Sequence, residues 1–475
     1  MRPGLASLDP FMHFSDQDKQ NQRLLSEAAA EFLTFAEGDA RCRSLEGFAP
    51  FYEATRTYLY PLQAWPTLVR PALAGAIAEM TLSVDRLVKT VFERIFKGDL
   101  DKICAFYNVE DQRDLADMVF MEPTGIDAAI SRQDCMITAD GPMCMEMNCG
   151  SFVGAWEISC IADAIIQSPP VGDFIRERGL EVTCPDAVKL VFDHLVEAAL
   201  ALPNFRRREL NVAITASAHL DDKNNRAYIN GVLNQGLKRA LADKAPGLRG
   251  SVIICKTSQL KASGSKLYVK GKQIHAMFEQ HDHTRPTEAF RCAKGGGLAL
   301  FSGPITLFLS DKRNLALLSE NQDTGLYDEE DSRLIRKYIP WTRILTKKDA
   351  DYQGETVYLP DFVLQSRDKL VIKAAQGLGG DDVFVGRSTP VSLWEEKVAE
   401  ALETGMWIVQ ERIDAPTLQY MDKSGVIRPH HLVLGMFAVG GSFGGGVLRV
   451  MPVADTDVVN MKQGANLSLL LVVNE

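Results

Sequence analysis

The chain lacks the features that direct a protein to nucleic acid, to a membrane or to export. Acidic residues outnumber basic ones by 62 to 52, so a basic surface for non-specific nucleic-acid binding is not expected. The longest apolar runs, such as Leu469 to Val473, fall far short of the roughly 20 residues that span a bilayer. The stretch from Met1 to Asp16 has no charged and then apolar pattern of a signal peptide. We therefore expect a cytoplasmic protein that binds neither nucleic acid nor membranes.

Several sequence signatures are missing as well. The nine cysteines include no Cys-x-x-Cys pair and are odd in number, which argues against a disulfide framework and favours free thiols. Neither the GxxxxGK[ST] phosphate loop nor the GxGxxG dinucleotide fingerprint occurs. The 475 residues allow about three domains, at roughly 150 residues each, or one composite unit.

Hydrophobic periodicity predicts a helical first part, followed by strands that alternate with helices. The spacing predicts helices over residues 20–35 and 73–96, and an Asp-Gly turn between 130–138 and 143–148 predicts a β-hairpin. From about residue 210 onward, strands and helices alternate, which is typical of an open α/β sheet. Changes of pattern indicate boundaries near residues 125, 205, 310 and 415.

Polar residues of the predicted hairpin form the first candidate site. Alternate residues of a strand share a face, so Arg132 lies beside Asp134 and Glu146 beside Asn148. Two carboxylates and an amide oxygen are hard ligands that suit Mg²⁺, and a nearby arginine would contact phosphates bound to the same ion. The alternative is a solvent-facing hairpin with cross-strand charge pairs. Charged groups among apolar neighbours are costly unless they are paired or metal-bound, which favours the metal site.

A lysine followed by a glycine loop forms the second candidate. Lys373 ends an apolar strand, and Gly377, Gly379 and Gly380 follow it. Glycines let backbone N–H groups approach phosphate oxygens, and the lysine supplies a positive charge. A plain glycine-containing hairpin is the alternative.

A second lysine, Lys312, begins a predicted helix after the strand-like residues 305–309. A lysine at a helix N-terminus opposes the helix dipole unless an anion binds there, although many such lysines are simply solvated. The predicted strand 407–413 carries Gln410 and Glu411 after an apolar start. These two residues could frame a nucleobase and ribose, or could be the polar end of a buried strand.

Residues His281 and His283 could bind a metal, but their polar surroundings favour a solvated loop.

In this order, the motifs resemble those of the circularly permuted ATP-grasp ligases, and among them the synthetase domain of glutathionylspermidine synthase. The Arg-x-Asp and Glu-x-Asn strands precede both lysines, which is the order expected of the permuted chains. The sequence departs from that enzyme in one segment, where Cys149-Gly-Ser-Phe152 replaces an acidic-Thr-Pro stretch, and we expect it to lack the amidase domain. Its substrates are therefore not transferred to this chain.

The resemblance implies an α/β (α+β) ATP-grasp fold, circularly permuted, with a helical N-terminal addition. On that basis we divide the chain into a helical region (1–125), the permuted metal-binding part of the core (126–205), an α/β substrate-side domain (206–310), a lid and nucleotide-binding subdomain (311–415) and a return to the core (416–475).

The resemblance also implies the activity, an ATP-dependent carboxylate–amine ligase that forms an amide through an acyl phosphate. The cofactors would be ATP and Mg²⁺, and the partners a small carboxylate and an amine. Arg132 would be catalytic, and Asp134, Glu146 and Asn148 would hold the metal. The implied ATP-binding residues are Lys312, Lys373, Gly377, Gly379, Gly380, Gln410, Glu411 and Ile413. Further contacts to substrate or phosphate are assigned to Glu157, Arg449 and Asn460.

Two alternatives remain open from the residues alone. The chain could be a nucleotide-binding protein without catalysis, or a ligase that acts on a non-carboxylate acceptor in natural-product biosynthesis. Cys135, Cys144 and Cys149 lie beside the predicted metal ligands, which makes them the thiols to test for inhibition by oxidation.

Overall fold

The computed structural model shows an α/β protein built around several sheets. It describes residues 13–58, 60–110, 113, 116, 120, 130–150, 153–206, 209–215, 223–279, 287–301, 306–377 and 382–474. The α-helices of this part, in chain order, are α1 (Asp16–Arg23), α2 (Glu27–Gly38), α3 (Ala49–Ala54), α4 (Pro71–Arg94), α5 (Leu100–Tyr107), α6 (Ala162–Ile166), α7 (Pro169–Arg178), α8 (Ala187–Leu200), α9 (Lys223–Lys244), α10 (Glu288–Lys294), α11 (Thr306–Leu309), α12 (Arg313–Asn321), α13 (Glu329–Tyr338), α14 (Leu359–Gln365) and α15 (Val391–Thr404).

The strands of the described residues form three larger sheets and two small antiparallel ones. In chain order, they are β1 (Thr67–Val69), β2 (Ile130–Thr138), β3 (Gly141–Cys149), β4 (Glu181–Thr183), β5 (Val212–Thr215), β6 (Val252–Cys255), β7 (Leu260–Ser263), β8 (Lys266–Val269), β9 (Lys272–Ile274), β10 (Ala276–Phe278), β11 (Ala299–Phe301), β12 (Thr342–Ile344), β13 (Asp349–Tyr352), β14 (Glu355–Tyr358), β15 (Leu370–Ala374), β16 (Val383–Val385), β17 (Trp407–Glu411), β18 (Leu418–Met421), β19 (Ile427–Val439), β20 (Ser442–Pro452) and β21 (Asn466–Asn474).

The largest sheet joins the early hairpin to the last strands of the chain. Its order is β1-β21-β20-β19-β2-β3, with β18 beside β19 and β4 beside β21. Strand β2 pairs antiparallel with β19, so that Arg132 lies opposite Phe437 and Asp134 opposite Gly435. The predicted hairpin is confirmed, and its strands lie in one sheet with strands that follow about 300 residues later.

Helix α4 covers one face of this sheet. Pro71 stands at its first position, where the fixed φ of proline favours a helix start. Ile77, Val84, Val88 and Val91 recur at helical spacing and are fully buried, so they form the apolar stripe that packs on the strands. The helix thereby anchors the first part of the chain to the sheet that carries the hairpin.

A second, parallel sheet has the order β11-β10-β5-β6. Helices α8 and α9 pack together beside it. Because parallel strands run in one direction, their carboxyl ends meet at one edge, where Thr215, Cys255, Phe278 and Phe301 lie.

A third sheet, with the order β12-β17-β15-β16, is antiparallel and carries Lys373 and Gln410. Helices α14 and α15 cover it, and a separate apolar core that includes Ile372, Trp394 and Val409 holds this unit together.

Two predictions about local structure need correction. Residues 306–309 form helix α11 rather than a strand, because an apolar run of four or five residues has no periodicity that separates a buried strand from a helix turn. The N-terminal region is not purely helical, since β1 pairs in parallel with β21 and places Thr67 opposite Leu470. No helix in the described part of the chain is long and apolar enough to cross a membrane.

Candidate active site

A cavity of about 660 Å³ lies between the largest sheet and the antiparallel sheet that carries Lys373. This volume is within the range of small-molecule sites. Twelve of the fifteen predicted site residues line it, namely Arg132, Asp134, Glu146, Asn148, Lys312, Lys373, Gly377, Gln410, Glu411, Ile413, Arg449 and Asn460. Gly379, Gly380, His281 and His283 lie outside the described residues.

The hairpin supplies one side of the cavity, which we call the hairpin wall (Arg132, Asp134, Glu146, Asn148 and, from β20, Arg449). Arg132 lies opposite Asn148 and Asp134 opposite Glu146 in the register of β2 and β3. A bulge follows directly after Asp134. Because side chains alternate along a strand, this register places all four hairpin residues on the cavity face.

Asp134 is the most heavily bonded side chain of the hairpin wall. Its carboxylate accepts hydrogen bonds from Arg132 Nε at 2.9 Å and from Asn148 Nδ2 at 3.1 Å, and lies 2.6 Å from Arg449 Nη2. Burial opposes ionisation of this carboxyl, but the two guanidinium groups outweigh it and lower the pKa of Asp134 to about 2. Asp134 is therefore ionised and held in place by side chains from β2, β3 and β20.

Glu146 is much less constrained. Its nearest cation is Lys312, whose Nζ lies 3.4 Å from Oε1. The carboxylate lines the cavity, and its side chain is 23% exposed. Glu146 thus has free acceptor capacity toward the cavity, whereas Asp134 has little.

Gly435 of β19 makes room for the hairpin wall. A Cβ at this position would lie 2.7 Å from Arg132 Cδ and 3.1 Å from Asp134 Oδ1. The two side chains therefore rest on a strand that has no side chain there. The sequence reasoning missed this glycine, and only its position opposite Asp134 in the neighbouring strand reveals it.

Two lysines and the segments that hold them form the facing side, which we call the lysine wall (Lys312, Lys373, Gly377 and Gln410). Lys312 donates from Nζ to the carbonyl of Gly377 at 2.9 Å, and its backbone N–H donates to the carbonyl of Ala375 at 3.0 Å. The segments around residues 312 and 376 are thereby joined at both the backbone and the side chain.

A buried ion pair fixes the backbone around Lys312. Asp311 accepts hydrogen bonds from Arg313 Nε at 3.0 Å and Nη2 at 2.7 Å, and from Gln376 Nε2 at 3.1 Å. Gln376 also donates to the carbonyl of Tyr107 in α5. The N-terminal helices therefore support the lysine wall, a connection that no local sequence signal indicates.

Lys373 reaches from the lysine wall to the backbone of the hairpin. Its Nζ donates to Gln410 Oε1 at 2.7 Å and to the carbonyl of Met145 at 3.1 Å, and Gln410 Nε2 donates to Thr342 Oγ1 at 3.0 Å. Burial lowers the pKa of Lys373 to about 8, although Glu146 opposes that shift. Gln410 thus orients the ammonium group of Lys373.

Glu411, Asn460 and Glu157 each form a different hydrogen bond within the protein. Glu411 accepts a hydrogen bond from Tyr352 at 2.9 Å, and burial together with this bond raises the pKa of Tyr352 to about 12. Asn460 caps the 3₁₀ helix Met461–Gln463 by accepting from the N–H of Lys462. Glu157 is not among the lining residues and instead accepts a hydrogen bond from Tyr58.

The three cysteines of the hairpin strands, Cys135, Cys144 and Cys149, are buried and form no disulfide. Burial raises the pKa of each, to about 12 for Cys144, which disfavours the reactive thiolate.

The part of the cavity around Asp134 and Glu146 suits a polyphosphate and a hard divalent cation. Four cations (Arg132, Lys312, Lys373 and Arg449) lie close to these two carboxylates, which gives a local excess of positive charge. Among the described residues no group of three His, Cys, Asp or Glu side chains forms a complete metal cage. Mg²⁺ typically binds through one or two carboxylates together with phosphate oxygens, so this sparse oxygen set fits a nucleotide-bound Mg²⁺.

No family model and no curated protein matches the chain. Among solved structures, a glutathione synthetase like-effector from Globodera pallida matches 91% of this chain and 92% of its own, at 12% identity and a TM-score of 0.55. A putative gamma-glutamylcysteine synthetase from Methylobacillus flagellatus matches 84% and 88%, at 12% identity and a TM-score of 0.35. D-alanyl-alanine synthetase A from Vibrio cholerae matches 49% and 68%, at 9% identity and a TM-score of 0.26.

The likeness to the effector extends over nearly the whole of both chains and shows the fold. The predicted fold class, a mixed α/β fold of the ATP-grasp type, is confirmed.

Proposed function

We propose that the protein is an ATP-dependent ligase that joins a small carboxylate to an amine through an acyl phosphate, with release of ADP and phosphate. The observation that supports this most directly is the part of the cavity around Asp134 and Glu146, close to which lie four cations. An excess of positive charge in a partly buried site binds the triphosphate of ATP and stabilises the charge that is transferred with its γ-phosphoryl group.

The proposed metal ligands are Glu146, Asn148 and Asp134. Glu146 offers its free carboxylate oxygens, and the side-chain oxygen of Asn148 stays available because its Nδ2 donates to Asp134. When bound, Mg²⁺ would neutralise phosphate charge and align the reacting oxygens. Asp134 also holds Arg132 and Arg449 in position, so the two guanidinium groups can face the transferring phosphoryl group.

The lysine wall would bind the phosphates of ATP. Lys312 and Lys373 supply the charges, and Gln410 fixes the direction of Lys373. We propose that the loop with Gly377, Gly379 and Gly380 covers the phosphates and excludes water, because water would hydrolyse an acyl phosphate. Adenine and ribose would lie against Glu411 and Ile413, farther along the same cavity.

The proposed role of each chain region follows from the sheet to which it contributes strands. Residues 126–205 and 416–475 contribute strands to the largest sheet and would hold the metal, and 311–415 form the nucleotide-binding lid. Residues 206–310 contain the parallel sheet, which we assign to the substrates. Region 1–125 supports the largest sheet and the lysine wall.

The proposal is tested by release of ADP and phosphate from Mg²⁺-ATP in the presence of pooled amino acids, other small carboxylates and amines. We expect turnover with at least one pair of pools, and loss of turnover in Glu146→Ala. The matched control is Glu355→Ala, because Glu355 is an exposed glutamate on β14 that does not line the cavity.

Full activity of Glu146→Ala would contradict the metal assignment. Nucleotide binding without turnover in any pool would instead support the non-catalytic alternative.

A further inference from the structure

A carboxylate without a described cationic partner lies next to the catalytic cavity. Glu157 belongs to the 3₁₀ helix Trp156–Ile161, which begins directly after the cavity-lining residues Gly154 and Ala155. Among the described residues no lysine, arginine or histidine forms an ion pair with it, and its carboxylate accepts a hydrogen bond from Tyr58 Oη at 3.2 Å. Burial raises the pKa of Glu157, which reflects the cost of a partly buried carboxylate with no positive charge beside it.

Tyrosine side chains lie near this carboxylate, with Tyr58 in contact and Tyr60 and Tyr228 within electrostatic reach. The rings of Tyr58 and Tyr228 are perpendicular, with centroids 6.3 Å apart, and the centroid of Tyr60 lies 6.4 Å from that of Tyr58. The hydroxyl of Tyr228 lies 3.3 Å from Cys160 Sγ. The cluster therefore combines one negative charge with several electron-rich ring faces.

Tyr60 connects the cluster to the cavity. Its ring lines the cavity, and its hydroxyl is within electrostatic reach of both Glu157 and Arg132. Tyr60 is thus the member of the cluster that lines the cavity, whereas Glu157, Tyr58 and Tyr228 lie behind its lining.

The chemistry of the cluster selects one class of ligand. An alkylammonium group can pair with a carboxylate and also lie against tyrosine ring faces through cation–π attraction. A carboxylate or phosphate ligand would meet the like charge of Glu157, and a neutral ligand would leave that charge without a partner.

We propose that Glu157, with Tyr58, Tyr60 and Tyr228, forms the subsite that binds an alkylammonium group of the amine substrate. This rests on the proposed ligase function and names the position and charge of one of its substrates. It also separates Glu157 from the phosphate contacts, since the cations that would bind phosphate lie around Asp134 and Glu146.

The test uses the full chain and three probes of equal length: butylammonium, butanol and butyrate. Binding is measured by ligand-observed NMR, with and without Mg²⁺ and the non-hydrolysable ATP analogue AMP-PNP. We expect that, of the three probes, only butylammonium binds saturably. Its affinity should fall about tenfold or more in Glu157→Gln, because the substitution keeps the shape of the side chain and removes its charge. Glu181→Gln, at an exposed glutamate of β4, is the matched control and should bind like the unmodified protein.

Equal binding of butylammonium to Glu157→Gln and to the unmodified protein would overturn the proposal, as would tighter binding of butyrate. AMP-PNP binding should be the same in Glu157→Gln and the unmodified protein. If AMP-PNP binds and butylammonium does not, the subsite proposal fails while the ligase proposal stands. If butylammonium binds through Glu157 and AMP-PNP does not bind, the subsite stands and the ATP-dependent function fails.

Discussion

The two walls of the cavity hold their charges in different ways. In the hairpin wall, Asp134 is bonded to Arg132, Arg449 and Asn148, so positive and negative groups satisfy one another within the sheet. In the lysine wall, Lys312 and Lys373 donate to neutral oxygens of the backbone and of Gln410. Apart from the contact of Lys312 with Glu146 at 3.4 Å, no carboxylate is paired with these lysines among the described residues.

This difference indicates that the hairpin wall contributes to stability as well as catalysis, whereas the lysine wall contributes mainly to nucleotide affinity. A network of buried ion pairs supports the fold as well as the site, because removal of one member leaves the others with uncompensated charge. Lysines that face neutral acceptors retain most of their attraction for an incoming anion. We therefore expect changes in the hairpin wall to affect stability and catalysis together, and changes in the lysine wall to affect mainly nucleotide affinity.

The largest effect is expected for Asp134→Asn. The substitution leaves two arginines unpaired, with side chains only 18% and 12% exposed, so we expect a loss of about 3 kcal/mol in the free energy of unfolding together with loss of turnover. Urea denaturation and phosphate release measure the two effects. Asp140→Asn, at the exposed turn of the same hairpin, is the control. Unchanged stability of Asp134→Asn would contradict the expected difference between the hairpin wall and the lysine wall.

Glu146→Gln should separate catalysis from stability. Because Glu146 makes few bonds within the protein, its free energy of unfolding should change by less than about 0.5 kcal/mol. The turnover number should fall about 100-fold or more, as expected for loss of a metal ligand. A loss of stability comparable to that of Asp134→Asn would show that both carboxylates have a structural role.

The lysine wall should make nucleotide use sensitive to alkaline pH. Burial lowers the pKa of Lys373 to about 8, so its positive charge is present below that pH and is lost above it. We expect kcat/KM for ATP to fall about tenfold per pH unit above pH 8, since this ratio reports groups of the free enzyme. Lys373→Arg stays charged throughout this range, so it should lose the dependence. A flat profile of the unmodified protein would contradict this prediction.

A smaller effect is expected for Gly435→Ala. The added methyl group would lie 2.7 Å from Arg132 Cδ, so Arg132 must move, at a cost of about 1–3 kcal/mol and a several-fold lower turnover number. Gly75→Ala in α4 is the control, because nothing lies within 4 Å of its added Cβ. It should be neutral or stabilising, as alanine is favoured inside helices. Equal effects of the two substitutions would show that Arg132 can adapt without loss.

The hairpin could be predicted because its information is local. The Asp-Gly turn sets the pairing, and the two-residue period of a strand then places Arg132, Asp134, Glu146 and Asn148 on one face. The fold class could be predicted from the joint order of motifs along the chain. The prediction of a strand at residues 306–309 was wrong because a short apolar run has no periodicity that separates a strand from a helix.

Contacts between distant segments could not be predicted. Arg449 reaches Asp134 across 315 positions because β20 lies two strands from β2 in the same sheet. Gln376 joins Asp311 to α5 in the same non-local way. Glu157 was assigned to the site by its position in the chain, and only the packing shows that it lies near tyrosines behind the cavity lining.

The sequence by itself determined the type of fold, the residues with suitable chemistry and the face on which the hairpin presents them, since turn chemistry and strand period act over a few residues. The tertiary structure alone decided how each charge is partnered. It paired Asp134 with two arginines, left Glu146 open to the cavity, and set Gln410 against Lys373 rather than free in the cavity. The physical reason is that charge pairing and burial depend on which strands become neighbours, and that choice is made by the packing of the whole chain.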